Sequence, residues 1–191
     1  MSGADDFTIP EIAQILCTPQ HTLIHLCEQG GITPDFADAT GRGSSRRFSK
    51  RNVFEFAIAL RLRALMLPVA AAGGVIRVLR AFERRVRDEL PGFELPGGLQ
   101  KKSAPDLRVV LSDGNLLFFT LAAAGKTPKV FGGVEIGKLI SAPTKGKEAM
   151  RLVQKAVTSG GETTFGRPEG SRYGRVELSL TRIAQYLDDI Q

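Results

Sequence analysis

Apolar and polar positions alternate in two different rhythms along this chain. Up to about residue 90 the period is helical. Ile9, Ile12, Ala13, Ile15 and Leu16 form the stripe of a first short helix, which Thr8 can cap and Pro10, suited to a first turn, can open. Cys17-Thr18-Pro19 reads as a turn. A second helix is expected from about Gln20 to Gln29, with Thr22, Leu23, Leu26 and Cys27 inward and Gln20, His21, Ile24, His25 and Glu28 outward. Gly30-Gly31 stops it. Between Ile32 and Phe48, Pro34, Gly41 and Gly43 separate short extended pieces, a pattern that suits a two-stranded wing. Ser49 is placed to cap a third helix running to about Met66, apolar over most of its surface and so expected at the buried centre. Pro68 opens a fourth helix ending near Leu90, weakened near its start by Gly73-Gly74.

Beyond Leu90 the pattern changes. Pro91, Gly92, Pro96, Gly97, Gly98 and Ser103 read as a linker. Strand-like alternation follows in 107–111 and 116–121 around Ser112-Asp113-Gly114-Asn115, a hairpin signal. Lys129–Phe131 and Val134–Ile136 are candidate short strands, and 147–158 has helical spacing. The polar, glycine-rich 159–174 reads as a loop, 175–180 as a strand and 181–190 as a closing helix. The expected fold class is α+β: a four-helix winged domain over 1–90, a linker over 91–105, and a small β-rich domain over 106–191.

Composition adds little, and charge adds more. The 191 residues, 42% hydrophobic and 24% charged, are ordinary for a globular protein. The longest apolar runs fall short of a membrane span and the acidic Met1–Asp6 lacks the features of a secretory signal, so a cytoplasmic location with no membrane partner is expected. Cys17 and Cys27 are expected to be reduced. The formal charge of +6 is unevenly spread: twelve arginines and lysines lie between Arg42 and Arg87, against Glu55 and Glu83 alone. Such a segment attracts a polyanion through counterion release; a basic helix face that stays solvated is the plainer alternative.

Ala13, Thr22, Leu23, Gly30 and Pro34, followed by Arg46-Arg47-Phe48-Ser49, resemble the winged helix-turn-helix of the MerR family of bacterial regulators over roughly the first 90 residues. The resemblance implies a sequence-specific, double-stranded DNA-binding transcription regulator that acts as a homodimer on a near-palindromic promoter site and distorts DNA so that RNA polymerase engages. The second helix and the turn before it would read the major groove through Thr18, Gln20, His21, Thr22 and His25, and Arg42, Arg46, Arg47 and Lys50 would hold phosphates. The family places an arginine and aromatic residues after its Thr-Leu pair; here Ile24, His25 and Leu26 stand there.

The family's long dimer helix has no room before Pro91, so dimerisation is expected to move to the C-terminal domain, on the stripe that includes Leu180, Ile183 and Leu187. Phe118, Phe119, Phe131 and Phe165 are either a small-molecule effector pocket or plain core. Cys17, His21 and His25, four apart, either face a metal or, for the cysteines, are small buried apolar residues; no fourth ligand lies nearby, and no cofactor is expected. An enzyme is the least expected class, because both histidines lie in the helix-turn-helix and no phosphate-loop spacing occurs. Two other readings stay open: an architectural or phage-packaging-type DNA-binding protein, and a protein-interaction module that has lost DNA binding.

Overall fold

The computed structural model describes residues 6–36, 46–89, 91–112, 116–122, 125, 128–141 and 175–190. The fold is mixed α+β. Its described elements are helices α1 (Ile9–Ile15), α2 (Gln20–Gly30), α3 (Lys50–Ala64) and α4 (Val69–Glu89), a single turn α5 (Gly97–Gln100), strands β1 (Asp106–Ser112), β2 (Leu116–Ala122) and β3 (Lys129–Glu135), helix α6 (Ile136–Ser141), strand β4 (Arg175–Ser179) and helix α7 (Leu180–Asp189). The expected helix over 147–158 and loop over 159–174 lie outside the described residues.

Two compact units are present, one of residues 1–76 with 190–191, the other of residues 77–189. In the first, Ile12, Leu23, Leu26, Ile32 and Phe48 join the apolar side of α3 in the core. Every residue of α3 from Asn52 to Ala59 is buried: apolar positions wrap most of the helix, and the polar Asn52 and Glu55 are buried with them. The Phe48 and Phe56 rings meet edge to face with centroids 5.5 Å apart.

Both α1 and α3 end in the same device. After α1, Cys17 N–H donates to the Gln14 carbonyl (3.2 Å) and Thr18 N–H to that of Ala13 (2.9 Å). After α3, Met66 N–H donates to Arg63 (2.9 Å) and Leu67 N–H to Leu62 (3.2 Å). This is the Schellman pattern, whose turning residue takes left-handed φ and is usually glycine. Here it is Cys17 at φ 47° and Met66 at φ 65°. The third helix therefore stops at Ala64, short of the expected Met66. Cys17 is exposed, contrary to its reading as a buried small residue, because the left-handed turn carries its side chain outward.

The second unit holds an antiparallel sheet of order β3-β2-β1-β4. Ser112 pairs with Leu116, so β1 and β2 form the expected hairpin. The two expected short strands over 129–136 are one strand, and Ile136 opens α6 instead. On one sheet face Leu107, Val109, Leu111, Leu117, Phe119, Leu121 and Phe131 are buried. From α4, Phe82 stacks on Phe119 (centroids 5.2 Å apart) and meets Phe131 edge-on (4.8 Å). Phe119 and Phe131 are thus core residues rather than pocket lining; Phe165 lies outside the described residues. Toward the β4 edge, Arg108 bonds both Asp106 (2.7 Å) and Glu177 (2.8 Å), and these partners raise its already high pKa.

The stretch 91–105, expected as a linker, is folded into this unit. Phe93, Leu95 and Leu99 are buried. On α4, Glu83 is 3% exposed and its carboxylate accepts from Leu95 N–H (3.0 Å) and Arg87 Nη2 (3.2 Å). Arg87 Nε in turn donates to the Phe93 carbonyl (3.0 Å). The division between units accordingly falls inside α4, between Ile76 and Arg77, rather than near residue 90.

Helix α7 is fixed at its start. Thr181 Oγ1 accepts from Leu107 N–H (2.8 Å) and donates to the Pro105 carbonyl (2.8 Å). Leu180, Ala184 and Leu187 are buried within the chain itself, and Ile183 is half-buried. That stripe was expected to pair protomers; it is taken up by the unit's own core, since a small sheet must cover its apolar face. No described helix is long and apolar enough to cross a membrane.

Candidate functional site

The first unit presents an exposed helix face and two hydrogen-bonded segments, 33–36 and 46–49. α1 and α2 are joined by four residues, Leu16–Pro19. Within that turn Thr18 Oγ1 donates to the Leu16 carbonyl (3.0 Å), so Thr18 is half-buried and bound locally. On α2, Leu23 and Leu26 are buried, and Thr22 and Cys27 are half-buried. Gln20, His21, Ile24, His25 and Glu28 are exposed, in the i, i+1, i+4, i+5, i+8 spacing of one face. The division of α2 into two sides follows its sequence pattern.

The segment 37–45, and with it Arg42, lies outside the described residues; the two arms that flank it are described. Phe36 N–H donates to the Arg47 carbonyl (3.4 Å). On the other side of the same arm, Phe7 and Phe48 exchange both backbone hydrogen bonds, at 2.8 and 2.9 Å. The 46–48 arm is therefore flanked by two segments, where the sequence suggested one partner. No local signal marks that partner: Phe7 just before the Thr8 cap and Ile12 within α1 have the spacing of a hydrophobic staple, which orients the entry into α1 and does not specify pairing with Phe48.

Asn52 ties these arms to α3. It is fully buried, and both ends of its side-chain amide are in use. Oδ1 accepts from Asp35 N–H (2.9 Å) and Ser49 N–H (3.2 Å), while Nδ2 donates to the Thr33 carbonyl (3.0 Å) and Glu55 Oε2 (3.1 Å). Ser49 completes the cap by accepting from Asn52 N–H (3.2 Å), and its hydroxyl donates to the Asp35 carboxylate. An asparagine amide offers two donors and two acceptor sites, so one side chain satisfies both ends of the junction. Sequence reading found the Ser49 cap and missed Asn52, whose network depends on residues seventeen and nineteen positions earlier.

The charges sort by position. Arg46 is half-buried, whereas Arg47 and Lys50 are exposed. Arg47 lies 3.7 Å from Asp6. Glu11, which accepts from both Thr8 N–H and Thr8 Oγ1 at 2.7 Å, has its pKa lowered first by those bonds and further by the Arg47 charge. α3 begins Lys50-Arg51, cations at the helix end where the backbone dipole is least favourable to them. By contrast, no lysine or arginine occurs anywhere in residues 1–41, so the exposed face of α2 has no permanent cation and carries Glu28. Among the described residues no group of three or more His, Cys, Asp or Glu is arranged to hold a metal.

Comparison of the sequence with models of known families and with characterised proteins gives no match.

Proposed function

We propose that this chain is a DNA-binding protein of the winged helix-turn-helix class, MerR-like in its first unit, acting as a sequence-specific transcription regulator. The observation that carries the reading is the Asn52 junction. It ties Thr33, Asp35 and Ser49, which lie on the two sides of the segment that carries Arg42, Arg46 and Arg47, to the first turn of α3 in one hydrogen-bonded frame. Such a frame suits a helix laid in a major groove with a loop on the flanking backbone. Arg46, Arg47, Lys50 and, in the loop, Arg42 then contact phosphates, whose oxygens accept from guanidinium and ammonium donors. Two copies would address two half-sites about one helical turn apart, joined through a surface other than the buried stripe of α7.

Selection of bound duplexes from a random library tests this proposal, with an Arg46→Ala, Arg47→Ala control. The expected result is one enriched site, affinity that falls steeply with salt, and a double variant with a shallower salt dependence and weaker binding. A double variant that binds as tightly as wild type overturns the wing assignment. Binding without site preference favours an architectural role.

A second reading rests on the absence of lysine and arginine from residues 1–41. A helix face with Glu28 and no permanent cation also suits a protein partner. Failure to bind any duplex in a salt-dependent manner favours that reading.

A further inference from the structure

The exposed face of α2 contains one apolar side chain among polar ones. Ile24 is 40% exposed, centred among Gln20, His21, His25 and Glu28. The helix does not need it there: Leu23 and Leu26 already fill the inward side, and a β-branched residue is a poorer helix former than alanine. The face also lacks the arginine or lysine that grips guanine O6 and N7. A major groove contains one apolar group for such a side chain to meet, the thymine C5 methyl.

Resting on the DNA-binding reading above, we infer that Ile24 is a specificity-determining residue that reads a thymine methyl in each half-site. The groove-facing helix then contributes selectivity through apolar contact and the neutral donors and acceptors beside it. The binding strength comes from the basic positions after residue 41. The occupant of this face is accordingly duplex DNA with thymine opposite the middle of α2.

The test uses the full chain and the duplex recovered by library selection. Each thymine in turn is replaced by deoxyuridine, which keeps the hydrogen-bonding edge and lacks the methyl. For wild type, one position per half-site is expected to weaken binding about fourfold, the effect of one buried methyl-sized group. Ile24→Ala is expected to bind the thymine and deoxyuridine duplexes equally, whereas Ile24→Val, which keeps branched methyls, retains part of the difference. Thermal unfolding of both variants should match wild type, since the side chain is exposed. Wild-type binding that is indifferent to deoxyuridine at every position overturns the assignment of Ile24 and leaves the DNA-binding reading intact. So does an Ile24→Ala variant with undiminished sensitivity. Absence of binding to any duplex overturns both.

Discussion

The side-chain amide of Asn52 donates to the carbonyl of Thr33 across 3.0 Å, joining the first helical turn of α3 to the segment that follows α2. With its other bonds, that contact makes Asn52 the buried polar centre of the first unit. Replacing it by leucine of comparable bulk removes all four side-chain bonds while keeping the site filled. The expected loss is about 2 kcal/mol or more, because buried polar groups are left with fewer partners. Asn52→Asp is expected to be worse at neutral pH, since it sets a second carboxylate where Nδ2 now donates to Glu55. Thermal unfolding of the two variants checks the order, and equal stability to wild type contradicts it.

Met66 is 89% exposed and held at positive φ, so its side chain contributes little packing while its Cβ makes the backbone conformation costly. Met66→Gly is expected to stabilise the protein by about 1 kcal/mol. Cys17→Gly should act in the same direction. Chemical denaturation midpoints measure both effects.

Glu11 supports the N-terminus of α1 in its ionised form, and its folded pKa lies below the ordinary value of 4.5. A lowered folded pKa places its stabilising contribution above that value, and the contribution is lost as pH falls through the folded pKa. Glu11→Gln should therefore narrow its stability gap to wild type as pH drops below about 4.5. Unfolding temperatures measured from neutral pH downward show the convergence; a gap that widens on acidification contradicts it.

Glu83 joins α4 to the 93–95 segment through a nearly buried carboxylate. Glu83→Ala leaves the Leu95 N–H without its acceptor, while the half-exposed Arg87 keeps Glu94 and the Phe93 carbonyl, and is expected to cost about 2 kcal/mol. Glu83→Gln keeps an acceptor oxygen and should cost less. Urea unfolding of the two variants separates loss of charge from loss of the hydrogen bond.

The periodic parts of this molecule were legible in its residues. The two sides of α2, the buried α3, the β1–β2 hairpin and the Ser49 cap all follow from local spacing, because each depends on neighbours within a turn or a hairpin. What escaped the sequence depends on distant partners. A run of Pro and Gly from 91 to 105 looks like a linker until Glu83 and Arg87 are seen to bind its backbone. The stripe of α7 looks available until Leu180 and Leu187 are seen in the core. At the candidate site, spacing identified the exposed positions on α2. It did not find Asn52, whose helical position alone gives no sign of the carbonyl and amide it meets.

The pairing of β1 with β4 has a consequence for the order of assembly. Arg108 lies opposite Ser179, and Leu107 N–H waits for Thr181, 74 positions later. The Phe7–Phe48 pair and the Asn52 bonds close within the first 55 residues. In a chain synthesised from its N-terminus, the frame that carries α2 has all its parts long before the sheet receives its fourth strand. Until residues 175–181 emerge, β1 keeps an open edge, and the nascent chain passes through a stage in which the Asn52 frame can be closed while the sheet is still unsealed.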